Sequence, residues 1–170
     1  MAHKAACIDL RWSREDDASE LSAVHAEAWR NAYSGVIPGA ALSAMISRRG
    51  PRYWAAAQAA GAPALLLAFD GRIGGYATLG PARRGRGRGG GEIYELYLRP
   101  EFQGLGFGTR LFGEARVRLV GAGLEGLSIW SLAENRGACG FYRAMGGVVA
   151  ARNRERVGGA YLAKVCFVWP

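Results

Sequence analysis

A glycine-rich turn is the sharpest candidate for chemistry in this sequence. It reads Gln103-Gly-Leu-Gly-Phe-Gly108 and stands directly after a predicted strand and directly before a predicted helix. Glycine removes the side chains that would keep a ligand away from the backbone, and the first turn of a helix offers unpaired N–H groups and the positive end of its dipole. The turn therefore predicts a pyrophosphate site, although a tight strand-to-helix connection has the same appearance.

Two well-known nucleotide-binding loops do not fit this turn. A dinucleotide-binding fingerprint would place a third glycine at Thr109 and an acidic residue near Ser131 or Leu132, and neither is present. A P-loop would continue with Gly-Lys-Ser/Thr, whereas this chain continues with Gly108-Thr109-Arg110. The sequence thus argues against both classes of site.

Hydrophobic spacing and turn signals predict the elements that must position this turn. The predicted strands cover 8–12, 64–69, 72–79, 92–99, 127–132, 148–153 and 160–169. The predicted helices cover 13 to 29 or 33, 38–47, 52–60, 109–121 and 138–145. Ser13 followed by Asp16 is typical of a helix start, and residues 80–91 are interpreted as a loop. This order favours a mixed α/β chain with a largely antiparallel sheet.

Size and composition favour one globular domain over residues 1–170. Half of the 170 residues are hydrophobic and 21% are charged, which suffices for a sizeable core without disulfides or metals. The three cysteines are far apart and form no Cys-x-x-Cys pair. With no apolar run suited to a leader or a membrane span, we expect a cytoplasmic protein.

The net charge of +8 favours an anionic ligand, which could be a nucleic acid or a phosphorylated cofactor. Four of these charges, Arg83, Arg84, Arg86 and Arg88, lie in the 81–91 loop, so the rest of the chain carries +8 − 4 = +4. This loop has no interleaved aromatic residue to stack on bases. We therefore expect no nucleic-acid partner. Nucleic-acid binding remains a lower-ranked alternative, which the arginines of this loop and the net charge suggest.

The stretch from Glu92 to Phe112 resembles the acetyl-CoA-binding motif of the GNAT superfamily of N-acetyltransferases, with Gln103, Gly106 and Gly108 at the core positions. A second motif of that family is similar to the pattern formed by Asn135, Ala138, Phe141, Tyr142 and Gly146. More loosely, residues 28–38 resemble acceptor-side helices of small bacterial members.

This resemblance implies an α/β (α+β) fold with a mixed, mostly antiparallel sheet of about six to seven strands flanked by helices. It also implies acetyl-CoA as co-substrate and no metal. The cofactor-binding groups would be the backbone of Leu96 and Leu98, the side chains of Gln103 and Asn135, and the amides of Gly104, Gly106, Gly108 and Thr109. Tyr142 would direct its hydroxyl at the thioester sulfur.

Transfer to an amine would also need a base, because a protonated alkylamine must lose a proton before it can attack. Glu92 and Glu95 are the candidate carboxylates on the predicted central strand. Strand alternation places them on opposite faces unless a bulge intervenes, so we expect only one to serve. By the resemblance we rank Glu92 first and Glu95 second.

The acceptor is left open by the sequence as a primary amine of a small molecule, peptide or protein. Trp29 and Tyr33 lie at helical spacing and are candidates for its pocket, although core packing is the commoner role of such residues. A non-catalytic acyl-CoA-binding or regulatory module of the same fold is the alternative to an enzyme. No membrane partner is expected, and the resemblance leaves a homodimer open.

Overall fold

A computed structural model describes residues 7–83 and 90–169, and these residues form five helices around one sheet. The strands are β1 (Ile8–Trp12), β2 (Leu65–Phe69), β3 (Arg72–Pro81), β4 (Gly91–Leu98), β5 (Leu127–Leu132), β6 (Val148–Val157) and β7 (Ala160–Trp169). The helices are α1 (Ala18–Tyr33), α2 (Gly39–Arg48), α3 (Pro51–Ala59), α4 (Phe107–Gly121) and α5 (Arg136–Ala144).

The seven strands run in the order β1-β2-β3-β4-β5-β7-β6. Every neighbouring pair is antiparallel except β4 and β5, which are parallel. A parallel connection needs a long crossover, and α4 supplies it between these two strands. The predicted mixed, mostly antiparallel sheet flanked by helices is confirmed.

The parallel pair separates almost as soon as it forms. Only Gly91 with Leu127 and Glu92 with Ser128 are paired, although β4 continues to Leu98 and β5 to Leu132. Beyond these two pairs the strands part, so a cleft opens in the middle of the sheet.

The two faces of the sheet bury different helices because successive side chains of a strand point to opposite sides. On one face, Leu65 and Leu67 of β2 belong to a cluster that contains Leu111 and Ala115 of α4 and the buried side of α5. On the other face, Leu66 packs with side chains of α1 and α3. The cleft therefore has α4 and α5 on one side and α1 to α3 on the other.

A β-bulge interrupts β4 beside the cleft. Thr78 pairs with Glu95 whereas Leu79 pairs with Ile93, so Tyr94 is an extra residue on this strand. As a result Ile93 and Leu96 both pack on the α4 side although they lie three residues apart. Their neighbours Glu92 and Glu95 then share the opposite face, because the bulge that the sequence analysis allowed for is present.

The start of the first helix also differs from the prediction. Ser13 does not cap it, because the Ser13 hydroxyl lies 2.9 Å from Gln58 Oε1 and accepts the Ala64 N–H. Instead Asp17 accepts the Arg14 N–H at 2.6 Å and takes two hydrogen bonds from Arg11. A 3₁₀ turn over Glu15–Asp17 precedes α1 as a consequence.

The loop interpreted as residues 80–91 is shorter at both ends, because Gly80 pairs with Glu92 and Pro81 with Gly91. Most of its arginines, at 84, 86 and 88, lie outside the described residues. Within the part of the chain that is described, no helix has both the length and the apolar character needed to cross a membrane.

Candidate active site

A cavity of about 1220 Å³ occupies the cleft between β4 and β5. One end is lined by the turn before α4 and by α5, and the other end by side chains of α1, α2 and α3. The structure gathers nearly all of the predicted site residues around this cavity. These are Trp29, Tyr33, Glu95, Leu96, Leu98, Gln103, Gly104, Gly106, Gly108, Thr109, Asn135 and Tyr142.

The turn before α4 presents its backbone to this cavity. Gly104 and Gly106 have φ angles of 73° and 81°, which glycine adopts at low cost. After Gln103, the next backbone N–H that donates to a carbonyl is that of Arg110, and its acceptor is the Gly106 carbonyl. Among the described residues, none accepts a hydrogen bond from the amides of residues 104–109. Free amides at a helix N-terminus, with the helix dipole behind them, favour a bound anion.

The free edge of β4 forms one wall of the cleft. The Arg99 N–H donates to the Gly74 carbonyl on the β3 side, so strand alternation turns the backbone groups of Leu98 and Leu96 toward the cleft. The Leu98 carbonyl accepts a weak hydrogen bond from Gln103 Nε2 at 3.3 Å. An extended ligand arm could therefore pair with β4 as an added strand would.

Tyr142 is the residue whose hydroxyl is expected to face the thioester sulfur. Its side chain is 5% exposed and its ring packs against Phe141, Phe167 and Trp169. Within residues 7–83 and 90–169 its hydroxyl has no hydrogen-bond partner, although it lines the cavity. Burial raises the pKa of Tyr142 far above the usual value of a phenol, so the group stays protonated and able to donate.

The two candidate carboxylates occupy different places. Glu95 lines the cavity, accepts a hydrogen bond from Thr78 Oγ1 at 3.1 Å and pairs with Arg49 Nη1 at 2.5 Å. Glu92 is 3% exposed and does not line the cavity. Its two carboxylate oxygens accept the backbone N–H and the guanidinium of Arg83, at 2.8 Å and 3.0 Å.

An aromatic wall closes the end of the cavity toward α1. Trp29 and Tyr33 stack edge to face, and both rings also contact Tyr97 of β4. The hydroxyls of Tyr33 and Tyr97 share a short hydrogen bond of 2.5 Å. Burial raises the pKa of both phenols, so this wall is uncharged.

Asn135 holds the start of α5, where its Oδ1 accepts the Ala138 N–H at 3.2 Å. This contact is a helix cap, and capping was one of the two roles considered for the residue. The side chain also lines the cavity, on the β5 side of the cleft.

Arg49 is a cavity residue that sequence reasoning missed. It lies between α2 and α3, and its guanidinium reaches Glu95 across 46 positions of sequence. Since no local motif marks such a long-range ion pair, one arginine among several in a basic chain gave no signal. The buried pair of His25 and Tyr76, with Nδ1 2.7 Å from the phenol oxygen, was missed for the same reason.

A family model and a curated relative both match most of this chain. Residues 21–147 match the family model described as Acetyltransferase (GNAT) family. An uncharacterized N-acetyltransferase of Bacillus subtilis, YuaI, is 26% identical over 165 residues, which are 96% of this chain and 93% of the relative.

Two solved structures are similar in fold. The PaiA N-acetyltransferase from Thermoplasma acidophilum, in complex with coenzyme A, has a TM-score of 0.71 at 20% identity, and the match covers 94% of this chain and 98% of that one. YncA from Salmonella typhimurium, a putative acetyltransferase with its cofactor acetyl-CoA, has a TM-score of 0.69 at 19% identity, with 95% and 92% covered.

Proposed function

The chain belongs to the GNAT family of acetyltransferases, and we propose that it moves an acetyl group from acetyl-CoA to a primary amine by direct attack while both substrates are bound. The observation that carries this proposal is a cleft with free backbone donors at one end and a carboxylate within an aromatic wall at the other. Two substrates can therefore meet at the parting of β4 and β5.

The residues around the turn fit coenzyme A. Six consecutive amides without acceptors, at 104–109, suit the diphosphate. The free edge of β4 at Leu96 and Leu98 suits the pantetheine amides, and Asn135 faces the same space from α5. When bound, acetyl-CoA supplies an activated acetyl thioester, which the chain's own groups must align and protonate.

Glu95 is the base in this proposal. An alkylamine with a pKa of about 10.4 is neutral only about once in a few thousand at pH 7, a handicap of roughly 4–5 kcal/mol. A carboxylate at the cavity wall can accept the proton, directly or through water. We place Glu95 ahead of Glu92 because Glu95 lines the cavity, whereas Glu92 is buried under Arg83.

Tyr142 is the acid. As the new C–N bond forms and the C–S bond breaks, negative charge moves to sulfur, and the Tyr142 hydroxyl donates its proton there. Solvent returns a proton to Tyr142 and takes the amine proton from Glu95 before the next turnover. Its raised pKa keeps it protonated at neutral and alkaline pH, and no protein acceptor among the described residues competes for the hydroxyl. Trp29 and Tyr33 line the acceptor side in this arrangement.

The proposal is tested by incubating the protein with acetyl-CoA and a panel of amines while free thiol is measured. We expect Glu95→Gln to lower kcat by on the order of 10²- to 10⁴-fold, the usual worth of a positioned base, and Tyr142→Phe to lower it by at least tenfold. Initial rates at varied concentrations of both substrates should give intersecting lines, as a ternary complex requires.

Glu101→Gln is the matched control, because Glu101 is an exposed carboxylate that does not line the cavity. It should leave kcat within twofold. A large loss in Glu92→Gln with full activity in Glu95→Gln would transfer the role of base to Glu92. Absence of coenzyme A binding by calorimetry would end the proposal.

A further inference from the structure

We infer that the acceptor is a small amine that also carries a carboxylate, such as an amino acid, and that Arg49 binds this carboxylate beside Glu95. The inference rests on the proposed function and names the substrate class of the same site. It comes from the surroundings of Arg49, which no catalytic role explains.

Arg49 is held in place at the acceptor end of the cavity. Its backbone N–H donates to the Ile46 carbonyl at 3.0 Å, and its own carbonyl accepts the indole N–H of Trp54 at 2.9 Å. The guanidinium lies 5.7 Å from the ring centre of Trp29, 5.1 Å from Tyr53 and 6.0 Å from Trp54. Three aromatic rings thus fix a cation that remains 28% exposed and lines the cavity.

Most of the hydrogen-bonding capacity of this guanidinium is unused. It carries five N–H donors, and only Nη1 has an acceptor in the described chain, the Glu95 carboxylate. Nη2 and Nε have none there. Because Arg presents its donors as a planar fork, an incoming carboxylate can take two parallel hydrogen bonds from it.

The ion pair of Arg49 and Glu95 is complementary to a ligand that carries both a positive and a negative charge. Its cation and its anion lie side by side, 2.5 Å apart at the closest atoms. An amino acid carries its ammonium and its carboxylate at a similar spacing, so the ammonium can face Glu95 while the carboxylate faces Arg49.

The other cations at the cavity are less suited to this task. Arg83 is engaged by Glu92 and lies over the Tyr94 ring, and Lys164 is paired with Glu155 at 2.6 Å. Arg136 belongs to the first turn of α5, and among the described residues it forms no ion pair with Glu95. Arg49 is also the cation surrounded by the rings that would cover the apolar body of the acceptor.

The first test uses the wild-type protein and matched acceptors. Leucine, methionine and phenylalanine are compared with the amines that lack their carboxyl group and with their carboxamides. We expect kcat/KM to be on the order of 10- to 100-fold higher for the free acids, as charge-assisted hydrogen bonds to Arg49 would give. Equal or faster acetylation of the amines that lack a carboxylate would overturn the inference and leave the proposed function intact.

The second test removes the charge. Arg49→Met should bring the ratio of kcat/KM between acid and amine close to one, whereas Arg52→Met, which removes an exposed arginine outside the cavity lining, should preserve it. Binding of N-acetylphenylalanine in the presence of coenzyme A, measured by calorimetry, should be lost in Arg49→Met and kept in Arg52→Met.

Thermal unfolding shows whether Arg49→Met is folded. If it is not, Arg49→Lys decides, because it keeps the charge and loses the fork, and it should lower the ratio without abolishing it. An unchanged ratio in a folded Arg49 variant would contradict the inference. If coenzyme A binds but no member of the panel is acetylated, the inference is wrong; if coenzyme A does not bind, the proposed function fails with it.

Discussion

In the proposed mechanism two side chains divide the proton transfers, and their surroundings differ. Glu95 accepts hydrogen bonds from the Arg49 guanidinium and from the Thr78 hydroxyl. Tyr142 is packed among aromatic rings, and its burial favours the neutral phenol. The proposed proton acceptor thus has polar partners, whereas the proposed donor is packed among aromatic rings of the same cleft.

His25 shows that burial also makes a residue sensitive to acid. The ring is fully buried on α1, and burial, helped by the nearby charge of Arg49, lowers the pKa of His25 to about 3. Its Nε2 has no partner among the described residues, so a proton there would be left without an acceptor. The folded protein therefore keeps His25 neutral well below pH 6.5.

This difference in protonation predicts a loss of stability in acid. Below a pH of about 6.5 the unfolded chain binds a proton at His25 that the folded protein refuses, so the contribution is full above that pH and falls as pH falls toward 3. Between pH 6.5 and 4.5 the free energy of unfolding should drop by about 2 kcal/mol more in the wild type than in His25→Gln. Urea unfolding at several pH values measures this, and parallel curves for the two proteins would contradict it.

Residues of the site were predictable from sequence where the signal is local. The glycines at 104, 106 and 108 and the motif around Tyr142 are contiguous patterns, and the structure brings them to one cleft. Which of Glu92 and Glu95 lines the cavity was not predictable in this way, because it depends on the bulge at Tyr94 and on the contact of Glu92 with Arg83. Arg49 could not be found at all, since its partner is distant in sequence.

At the scale of elements, we propose that the turn and α4 act together as one anion-binding unit. The turn exposes amides, and the 15 residues of α4 align the peptide dipoles behind them. Gly106 is the N-cap in the left-handed region, and a methyl group built there would meet no atom of the described residues within 4 Å. That empty space is where the diphosphate should lie.

Gly106→Ala should therefore weaken coenzyme A binding by at least tenfold, because the new methyl group would occupy the ligand's space. The matched control is Gly123→Ala, just beyond the other end of α4, where φ is 74° and a methyl group also meets nothing within 4 Å in the described part of the chain. Both substitutions carry the same left-handed strain of roughly 1–2 kcal/mol and should lower the melting temperature alike.

Calorimetry with coenzyme A separates the two variants. Equal affinities for Gly106→Ala and Gly123→Ala would show that the turn does not hold the diphosphate. A loss of affinity in both would mean that strain in α4, and not contact with the ligand, controls binding.

Element types were predictable because their hydrophobic periods are regular, and β1 and β5 match their predicted bounds. The residues at which elements begin and end were less predictable. α4 begins at Phe107, two residues before the predicted start, because glycine at 106 permits a left-handed cap. β6 extends to Val157 through polar residues, since pairing with β7 and not burial sustains this edge strand.

At the scale of the whole molecule, the proposed reaction brings the two substrates to the cleft from opposite faces of the sheet. Helices α4 and α5 cover one face and α1 to α3 the other, so the coenzyme side and the acceptor side of the cavity belong to different layers. The net charge of +8 favours the approach of an anionic coenzyme, an effect that salt should screen.

The most direct test of this account is a crystal structure of the protein with coenzyme A. It should show the diphosphate against the amides of residues 104–109, the pantetheine arm along β4 at Leu96 and Leu98, and the sulfur beside the Tyr142 hydroxyl with Glu95 facing it across the cleft. A coenzyme bound outside the parting of β4 and β5, or a sulfur remote from Tyr142, would contradict it.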